Sequence, residues 1–476
     1  MVSRAQALVV VVLLWAAIYL PALGSLPIKG EEGRRILPAV SMLENGNYLV
    51  PEVGGVAYFS KPPLINWLIA ASFQIFRMRN EWAARLPSAL AVLAVAVAFA
   101  TIARARLMPL GSIFAAVIWL TSAGMIEKGR LAEIEALYVS LTALAIIWWL
   151  SFYDSKRSMW FIWLPASIFI GLGWLAKGPV HLIFFYAVVI AVVSQTRNWR
   201  ALFHPAHLAG VLVMLGIFAA WAIPFGHATS SALVATKWTN QFSGRLKGAD
   251  FKFSSWIFNI PRGLAYFLPW TTLLPLFRLD AFQQERDRLL ARALAWGMAV
   301  PFILINLVPG SLPRYAMPAL ASVCWLLAMI LAQPSLEFRR WVGGRLFSLR
   351  NRERTVAAIA LVMAAGISVY AFAIVPKLQH RQNVRGLAAQ IDNAISPNEP
   401  IYAVDPNYQP FFFYLHRKLI YASGLPAVPN DAVYLLARPD REQAVLESGR
   451  WSPRRAHLVL NVTDYREQTI DLFRIE

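Results

Sequence analysis

The stretch PIKGEEGRRILPAVSMLENGNYLVPEVGGVAYFSKPPLINW, residues 27–67, decides how the rest of the chain is interpreted. It follows an apolar run and carries too many charges to cross a membrane itself. Its ionisable and aromatic side chains include Glu31, Glu32, Arg34, Arg35, Tyr58 and Lys61. Charges beside a membrane span must be hydrated or paired around a polar substrate. The stretch is therefore predicted to be a functional segment at a membrane surface. The alternative is a hydrated loop that only caps helices.

The composition on either side of this stretch is that of a membrane protein. Of the 476 residues, 58% are hydrophobic and 15% are charged, whereas soluble proteins average about 45–50% and 25%. Apolar runs of roughly 20 residues without strand alternation predict a polytopic α-helical membrane protein. The single cysteine, Cys324, excludes an internal disulfide. About eleven spans are expected, at 7–24, 84–103, 108–125, 136–152, 159–175, 179–195, 207–224, 256–277, 291–308, 315–333 and 354–375.

The net charge of +19 reflects basic residues in short loops between these spans, including the run 339–354. Such clustering indicates topology and contact with anionic lipids, and it argues against nucleic acid as a partner. Placing the N-terminus inside leaves most of these residues on the cytoplasmic side. The outer side then receives 25–83, 126–135, 177–179, 225–255, 309–314 and everything after 376. A single site is expected there.

A change in composition divides the chain into two predicted domains. Residues 1–375 form the membrane domain with the outer amphipathic loop 25–83, and 376–476 form a small soluble α/β domain. Within the latter, helices are expected at 385–395, 409–415 and 441–447. Strands are expected at 401–404, 419–422, 432–436, 458–461 and 470–475.

Two pairs of acids are candidates for chemistry. Sugar transfer needs a base for the acceptor hydroxyl, and a carboxylate can also stabilise an oxocarbenium-like transition state. Glu31 and Glu32 suit this role, and they also suit the start of a helix. Glu133 and Glu135 begin a span, and their spacing of two sends them to different faces of a helix. At most one of this second pair is expected in a shared cleft.

The basic residues of the outer segments predict an anion site. They are Arg34, Arg35, Lys61, Arg130, Lys177, Arg245 and Arg314. Phosphate prefers arginine forks and lysine point charges. Each residue alone is better explained by a hydrated loop charge, but the group favours phosphate. Aromatic residues such as Tyr58 and Tyr315 are explained by interfacial anchoring, or by stacking on a sugar or a lipid chain.

Several motifs, in order over about the first 330 residues, resemble the lipid A aminoarabinose transferase family. This family belongs to the GT-C class, which includes protein O-mannosyltransferases. The family's Asp-Glu-x-Arg-Tyr appears as EEGRR at 31–35, and its Tyr-Phe-Glu-Lys-Pro-Pro as YFSKPP at 58–63. The helix end MLENGNYLVP at 42–51, KGP at 177–179, PW at 269–270 and PGSLPRY at 309–315 also match.

The resemblance implies a GT-C fold and a multi-pass glycosyltransferase of the bacterial inner membrane, here expected to be a monomer. The donor would be a polyprenyl-phosphate-linked sugar, and the acceptor lipid A, core sugar or another glycolipid. The active site and the C-terminal domain would be periplasmic. Glu31 and Glu135 take the places of the family's two catalytic aspartates. The predicted substrate-binding set is Glu32, Arg34, Tyr58, Lys61, Arg130, Glu133, Lys177, Arg245, Arg314 and Tyr315.

The chain also departs from the family pattern. Both aspartates are glutamates, and the family's lysines before Leu312 are missing. Some relatives hold a zinc with a glutamate and a histidine. This chain has Ser60 at the first position and no histidine at the second, which leaves a divalent metal open. A transporter or flippase for a lipid-linked sugar, a protein O-glycosyltransferase and a non-catalytic scaffold are the alternative functions.

Overall fold

The fold is described from a computed structural model of the chain. The structure describes residues 3–247, 251–276, 279, 282–333, 347, 348, 351–404, 410–465, 467 and 469–476. Most of the predicted basic run 339–354 lies outside these residues.

Long apolar helices dominate the first three quarters of the chain, as the composition predicts. Within the described residues, seven helical runs are long and apolar enough to cross a membrane, or eight if a pair bent by 58° forms one span. The seven are Glu81–Thr101, Ile134–Phe152, Met159–Ala176, Pro205–Ala228, Glu285–Leu307, Pro313–Ala332 and Arg352–Asn393. The bent pair is Arg104–Thr121 and Ala123–Gly129, and shorter apolar helices are Arg4–Tyr19, Leu64–Phe76 and His181–Thr196.

Two predicted segments differ from the structure. The expected span 256–277 is broken into the helices Phe253–Trp256 and Asn259–Ala265 and the 3₁₀ helix Trp270–Leu276. Pro261 and Pro269 explain the breaks, because proline lacks the N–H that continues a helix. The expected loop 225–255 contains the helix Ser231–Lys247.

The remaining helical elements are short, and some of them lie within these runs. They comprise the helices Gly33–Asn45, Val375–Arg381, Val384–Asn393 and Glu442–Leu446, the π-helix Tyr370–Ile374, and the 3₁₀ helices Gly30–Glu32, Trp199–Ala201, Pro313–Ala319, Pro410–Phe413, Leu425–Ala427, Pro439–Arg441 and Gly449–Trp451. Within Arg352–Asn393, the first α-helix is Arg352–Val369. Within Pro313–Ala332, the α-helix is Leu320–Ala332.

Contacts divide the chain into two compact units, which are described separately. The membrane unit comprises residues 1–21, 60–65 and 86–369. The polar unit comprises residues 22–59, 66–85 and 370–476. The polar unit therefore joins most of the charged stretch near the N-terminus to the C-terminal residues. The sequence-based division into 1–375 and 376–476 stays a prediction.

The membrane unit is packed around large buried side chains. Trp119, Trp149, Trp163 and Trp325 are fully buried. Gly297 allows the helix Glu285–Leu307 to approach His181–Thr196 closely, since a Cβ at that position would lie 2.8 Å from the Cα of Val188. Such close packing fixes the ends of the helices, where the candidate site residues lie.

The polar unit contains two sheets. The strands β1 (Glu52–Val53) and β2 (Val56–Ala57) form a small antiparallel pair. The C-terminal strands are β3 (Ile401–Val404), β4 (Leu419–Ala422), β5 (Tyr434–Ala437), β6 (Ala456–Thr463) and β7 (Thr469–Ile475). Their order is β4-β3-β5-β7-β6, with parallel pairing among the first three and antiparallel pairing thereafter.

The core cluster of the C-terminal sheet includes alternate residues of β5 and β7. Val404, Leu435, Phe473 and Ile475 are among its buried members, together with Trp451. The five strands expected from the sequence are all present, and the helix expected at 441–447 is Glu442–Leu446. The predicted small α/β appendage therefore has the expected elements.

Candidate active site

In the membrane unit, three predicted site residues meet, with two cations placed beside the carboxylate of the third. Glu135 lies in the first turn of Ile134–Phe152, where the helix dipole favours an acid. Lys177 ends Met159–Ala176, where the dipole favours a cation. Its Nζ donates to Oε1 of Glu135 at 3.2 Å, and Nε of Arg314 lies 3.1 Å from the same oxygen. We call Glu135, Lys177, Arg314, Tyr138 and Tyr315 the Glu135 cluster.

Two tyrosine rings flank the lysine of this cluster. Nζ of Lys177 lies 5.1 Å from the ring centroid of Tyr138 and 4.6 Å from that of Tyr315. Both distances are in the range of cation–π attraction. The side chains of Glu135 and Lys177 are only 10% and 14% exposed, so the charges interact more strongly than they would in water. The cluster thus presents an ammonium and a guanidinium in a partly buried, aromatic surrounding.

Glu133 has different partners from Glu135, as their spacing of two predicts. Its Oε2 lies 3.0 Å from Nζ of Lys128, which also contacts Oε1 of Glu127 at 2.9 Å. Arg130 donates from Nη1 to the carbonyl of Ile18 at 2.5 Å and from Nη2 to that of Pro21 at 2.6 Å.

These bonds at the end of the first helix give Arg130 a structural role, because carbonyls at a helix C-terminus need donors from elsewhere. Lys61 is half-buried just before Leu64–Phe76. Arg245 falls in the helix Ser231–Lys247, and its side chain lies outside the described part of the chain.

In the polar unit, Glu31 lies on a short turn with two arginines. It belongs to the 3₁₀ helix Gly30–Glu32, directly before Gly33–Asn45. Its carboxylate is paired with Nη1 of Arg34 at 3.2 Å and Nη2 of Arg35 at 3.5 Å. Nη1 of Arg35 donates to the buried hydroxyl of Tyr58 at 2.6 Å. With a side chain 36% exposed, Glu31 can reach a substrate while two arginines hold its carboxylate in place.

The neighbouring Glu32 is in a different environment. Its residue is completely buried. Its Oε1 accepts from Nε of Arg85 at 2.7 Å and its Oε2 from Nη2 at 2.9 Å. The same Oε2 also accepts from the backbone N–H of Lys29 at 3.0 Å. This geometry assigns Glu32 a role in holding the turn, and it differs from the substrate contact that the sequence predicts.

The arrangement does not fit a divalent metal. Metals of this kind prefer several oxygen or nitrogen ligands around one position, whereas Glu135 faces two cations. Among the described residues, no group of three or more His, Cys, Asp and Glu side chains could hold a metal ion.

Sequence reasoning missed several residues that shape these sites. Tyr138 follows Glu135 by three positions on one helix, so helical spacing alone places it on the same face. The sequence gives no such signal for Arg85, because its partner Glu32 is 53 positions away. It gives none for Lys128 either, because its partner Glu133 is at the start of the next helix. His181 was also missed. Its ring meets that of Tyr138 at 5.0 Å, and its Nδ1 lies 3.0 Å from the carbonyl of Gly178, in the turn after Lys177.

Parts of the sequence match a known family model and known glycosyltransferases. The family model of dolichyl-phosphate-mannose-protein mannosyltransferases matches residues 60–223. A Pseudomonas aeruginosa undecaprenyl phosphate-alpha-4-amino-4-deoxy-L-arabinose arabinosyl transferase is 26% identical over 308 residues, which are 64% of this chain and 55% of that protein. A Pseudomonas fluorescens protein of the same name is 25% identical over 339 residues, 70% of this chain and 57% of its own length. The chain thus aligns with a little over half the length of these relatives.

The comparison of structures covers nearly the whole chain. ArnT from Cupriavidus metallidurans bound to undecaprenyl phosphate superposes with a TM-score of 0.76 and 18% identity, covering 98% of this chain and 97% of that one. The two chains share a fold. The same protein in the apo state gives a TM-score of 0.75. The predicted fold class, a GT-C-like membrane protein with a small C-terminal domain, is confirmed.

Proposed function

We propose that this protein is a glycosyltransferase of the bacterial inner membrane, with its site and C-terminal domain on the periplasmic side. It moves a pentosyl or hexosyl group from a polyprenyl-phosphate donor to a lipid or glycolipid acceptor such as lipid A. The observation that carries the proposal is the Glu135 cluster, in a chain whose fold matches a structure bound to undecaprenyl phosphate. The aminoarabinosyl name of the relatives suggests the first donor to test.

The Glu135 cluster supplies the groups that a phosphate leaving group needs. Lys177 and Arg314 neutralise the negative charge that grows on the phosphate as its bond to the sugar breaks. Glu135 orients both cations, since its carboxylate is placed beside the lysine ammonium and the arginine Nε. The rings of Tyr138 and Tyr315 exclude water from one side of the lysine and strengthen these interactions.

Glu31 is the proposed base in a single displacement. The acceptor oxygen forms a bond to the anomeric carbon, while the bond from that carbon to the phosphate oxygen breaks. The acceptor proton passes to the Glu31 carboxylate, and the polyprenyl phosphate leaves with the electron pair. Arg34 and Arg35 hold the Glu31 carboxylate in its orientation before the reaction.

The test is transfer by the full-length protein in lipid nanodiscs. The donor is radiolabelled undecaprenyl-phosphate aminoarabinose, and the acceptors are lipid A and a serine- and threonine-containing peptide. We expect label on lipid A, with Glu31→Gln and Glu135→Gln each lowering turnover at least 100-fold. Lys237→Ala, an exposed lysine on Ser231–Lys247, is the control and should transfer like the wild type.

Other outcomes would favour the alternatives. Label on the peptide alone would identify a protein O-glycosyltransferase; the family model also names a transferase that acts on protein. Movement of the donor across the bilayer without transfer would identify a flippase. Wild-type rates in both glutamine variants would disprove the roles of the two carboxylates.

A further inference from the structure

A hydrogen-bonded chain links the C-terminal residues to the turn that carries Glu31. The hydroxyl of Tyr414 accepts from the backbone N–H of Ile28 at 2.8 Å and donates to Oε1 of Glu81 at 2.7 Å. Ile28 and Tyr414 are 386 positions apart in sequence, and both belong to the polar unit. One hydroxyl therefore satisfies a backbone donor of the N-terminal stretch and a buried carboxylate at once.

Arg385 stabilises this chain from the C-terminal side. Its Nε donates to the same Oε1 of Glu81 at 3.1 Å, its Nη2 also donates there, and its guanidinium lies 5.7 Å from the ring centroid of Tyr414. Glu81 is 3% exposed, so its charge requires such partners. Burial, and after it the carboxylate of Glu81, raise the pKa of Tyr414. The tyrosine hydroxyl thus stays protonated and remains a donor.

The other end of the turn is held one helical turn further on. Arg85 follows Glu81 by four positions and donates to the carbonyls of Leu23, Leu26 and Pro27 and to both carboxylate oxygens of Glu32. Glu31 lies between the two fixed points, Ile28 and Glu32. Gly30 has φ +51°, a left-handed conformation that favours glycine, so the chain turns sharply here.

We propose that the C-terminal residues act as a positioning device for Glu31, with Tyr414 as the positioning residue. The proposal rests on the catalytic role of Glu31 proposed above. Tyr414 and Arg385 fix Glu81 and Ile28, and these fix the turn before the substrate arrives. A shift of about 1 Å in a reacting group can slow catalysis about 100-fold. The hydrogen bonds of Tyr414 are therefore expected to affect turnover more than substrate binding.

The experiment compares two tyrosines of the same domain in the full-length protein. Tyr414→Phe removes the hydroxyl and with it the hydrogen bonds to Ile28 and Glu81. Tyr434→Phe is the matched control, because its hydroxyl also meets a backbone N–H, that of Ser396 at 3.3 Å, but contacts no residue of the turn. Turnover, the KM for the donor, and amide hydrogen exchange of residues 28–33 are measured in nanodiscs. Arg385→Gln is a second variant, since its half-exposed side chain tolerates change.

We expect Tyr414→Phe to lower kcat about 10- to 100-fold, with the donor KM within twofold and faster exchange at Ile28 and Lys29. Arg385→Gln should show a smaller loss of the same kind, and Tyr434→Phe should match the wild type. In the double variant Glu31→Gln with Tyr414→Phe, kcat should equal that of Glu31→Gln alone. A merely structural contribution would lower kcat further in the double variant.

The result separates this inference from the proposed function. If Glu31→Gln abolishes transfer while Tyr414→Phe keeps wild-type kcat and exchange, the positioning role is wrong and the function stands. If the wild type transfers no sugar to any acceptor, the proposed function fails; if Glu31→Gln transfers normally, Glu31 is not the base and its positioning has no catalytic role. The exchange data then still decide whether Tyr414 fixes the turn. Should Tyr414→Phe not fold, unchanged exchange and kcat in Arg385→Gln would overturn the proposal.

Discussion

The pair Glu32–Arg85 and the Glu135 cluster both bury opposite charges, but they do so in different ways. Arg85 directs all five N–H groups at named acceptors: three backbone carbonyls and the two oxygens of Glu32. One cation meets one carboxylate. In the Glu135 cluster two cations approach a single carboxylate oxygen, and two tyrosine rings lie beside the lysine.

The difference shows which buried charges belong to a site. A neutral pair whose donors are all directed at the protein fixes the backbone. A cluster in which cations outnumber the carboxylate that orients them suits an additional anion, here the proposed phosphate. Burial of charge alone would have treated the two regions as equal, so the set of partners around each charge is the useful criterion.

The largest expected effect breaks the structural pair. Arg85→Met leaves the buried Glu32 carboxylate and three carbonyls without their donor, and should lower the free energy of unfolding by about 3–5 kcal/mol. The double variant Glu32→Leu with Arg85→Met removes both charges and should recover part of that loss. Unfolding of the full-length protein in detergent measures both. A stability of Arg85→Met within about 1 kcal/mol of the wild type would contradict a structural role.

The next effect concerns the anion site. Lys177→Met keeps the length of the side chain but removes its charge, and should weaken binding of undecaprenyl phosphate about 10- to 100-fold, the loss of one charged hydrogen bond of about 1.5–3 kcal/mol. Its thermal stability should change little, in contrast to Arg85→Met. Equilibrium binding to the protein in nanodiscs is the measurement, and Lys237→Met is the control. Unchanged affinity would remove Lys177 from the site.

A smaller effect should separate the two acids that begin the helix Ile134–Phe152. Glu133→Gln removes one of two carboxylates from Lys128 and should cost about 1 kcal/mol of stability, because Glu127 remains. It should leave the affinity for undecaprenyl phosphate unchanged. Glu135→Gln should weaken that affinity, while its stability changes less than that of Glu133→Gln. If Glu133→Gln weakens phosphate binding as much as Glu135→Gln does, the two acids share one site.

How much of this could be predicted depends on the distance over which each contact acts. Local patterns predicted the apolar helices, the five C-terminal strands, and the different directions of Glu133 and Glu135. Length and hydropathy also suggested a span at 256–277, because apolar composition does not reveal the breaks before Asn259 and after Ala265. Proline was the available signal there, and it deserved more weight than the average hydropathy.

Long-range pairs were beyond the sequence. Glu32 next to Glu31 suggested two similar carboxylates, yet one is buried against Arg85, 53 positions away, and the other is partly exposed. Nothing in residues 27–67 distinguishes them, since the partner lies on another element. The same holds for Tyr414, whose contacts with Ile28 and Glu81 join the two ends of the chain. Charge patterns locate candidates, and the fold decides which of them are structural.

The smallest expected effect tests a buried acid that forms no ion pair with a cation among the described residues. Asp471 is 1% exposed, its Oδ1 accepts from Asn461 at 2.6 Å, and its buried Oδ2 has no hydrogen-bond partner among the described residues. Burial, followed by the charge of Glu442, raises the pKa of Asp471 despite the bond from Asn461. A raised carboxyl pKa means that the folded state binds the proton more tightly than the unfolded chain, so folding loses stability as the pH rises through the folded pKa.

Asp471→Asn removes this penalty and should stabilise the sheet at neutral pH by on the order of 1 kcal/mol. The gain should disappear below the ordinary carboxyl pKa, where the wild-type side chain is already protonated. Hydrogen exchange of β7 in the full-length protein, compared at each pH with Asp440→Asn as an exposed control, measures the effect. Faster exchange of β7 in Asp471→Asn at neutral pH would instead show that the charge of Asp471 stabilises the sheet. The cost of burying that charge would then be offset by its surroundings, as Arg85 offsets the cost of burying Glu32.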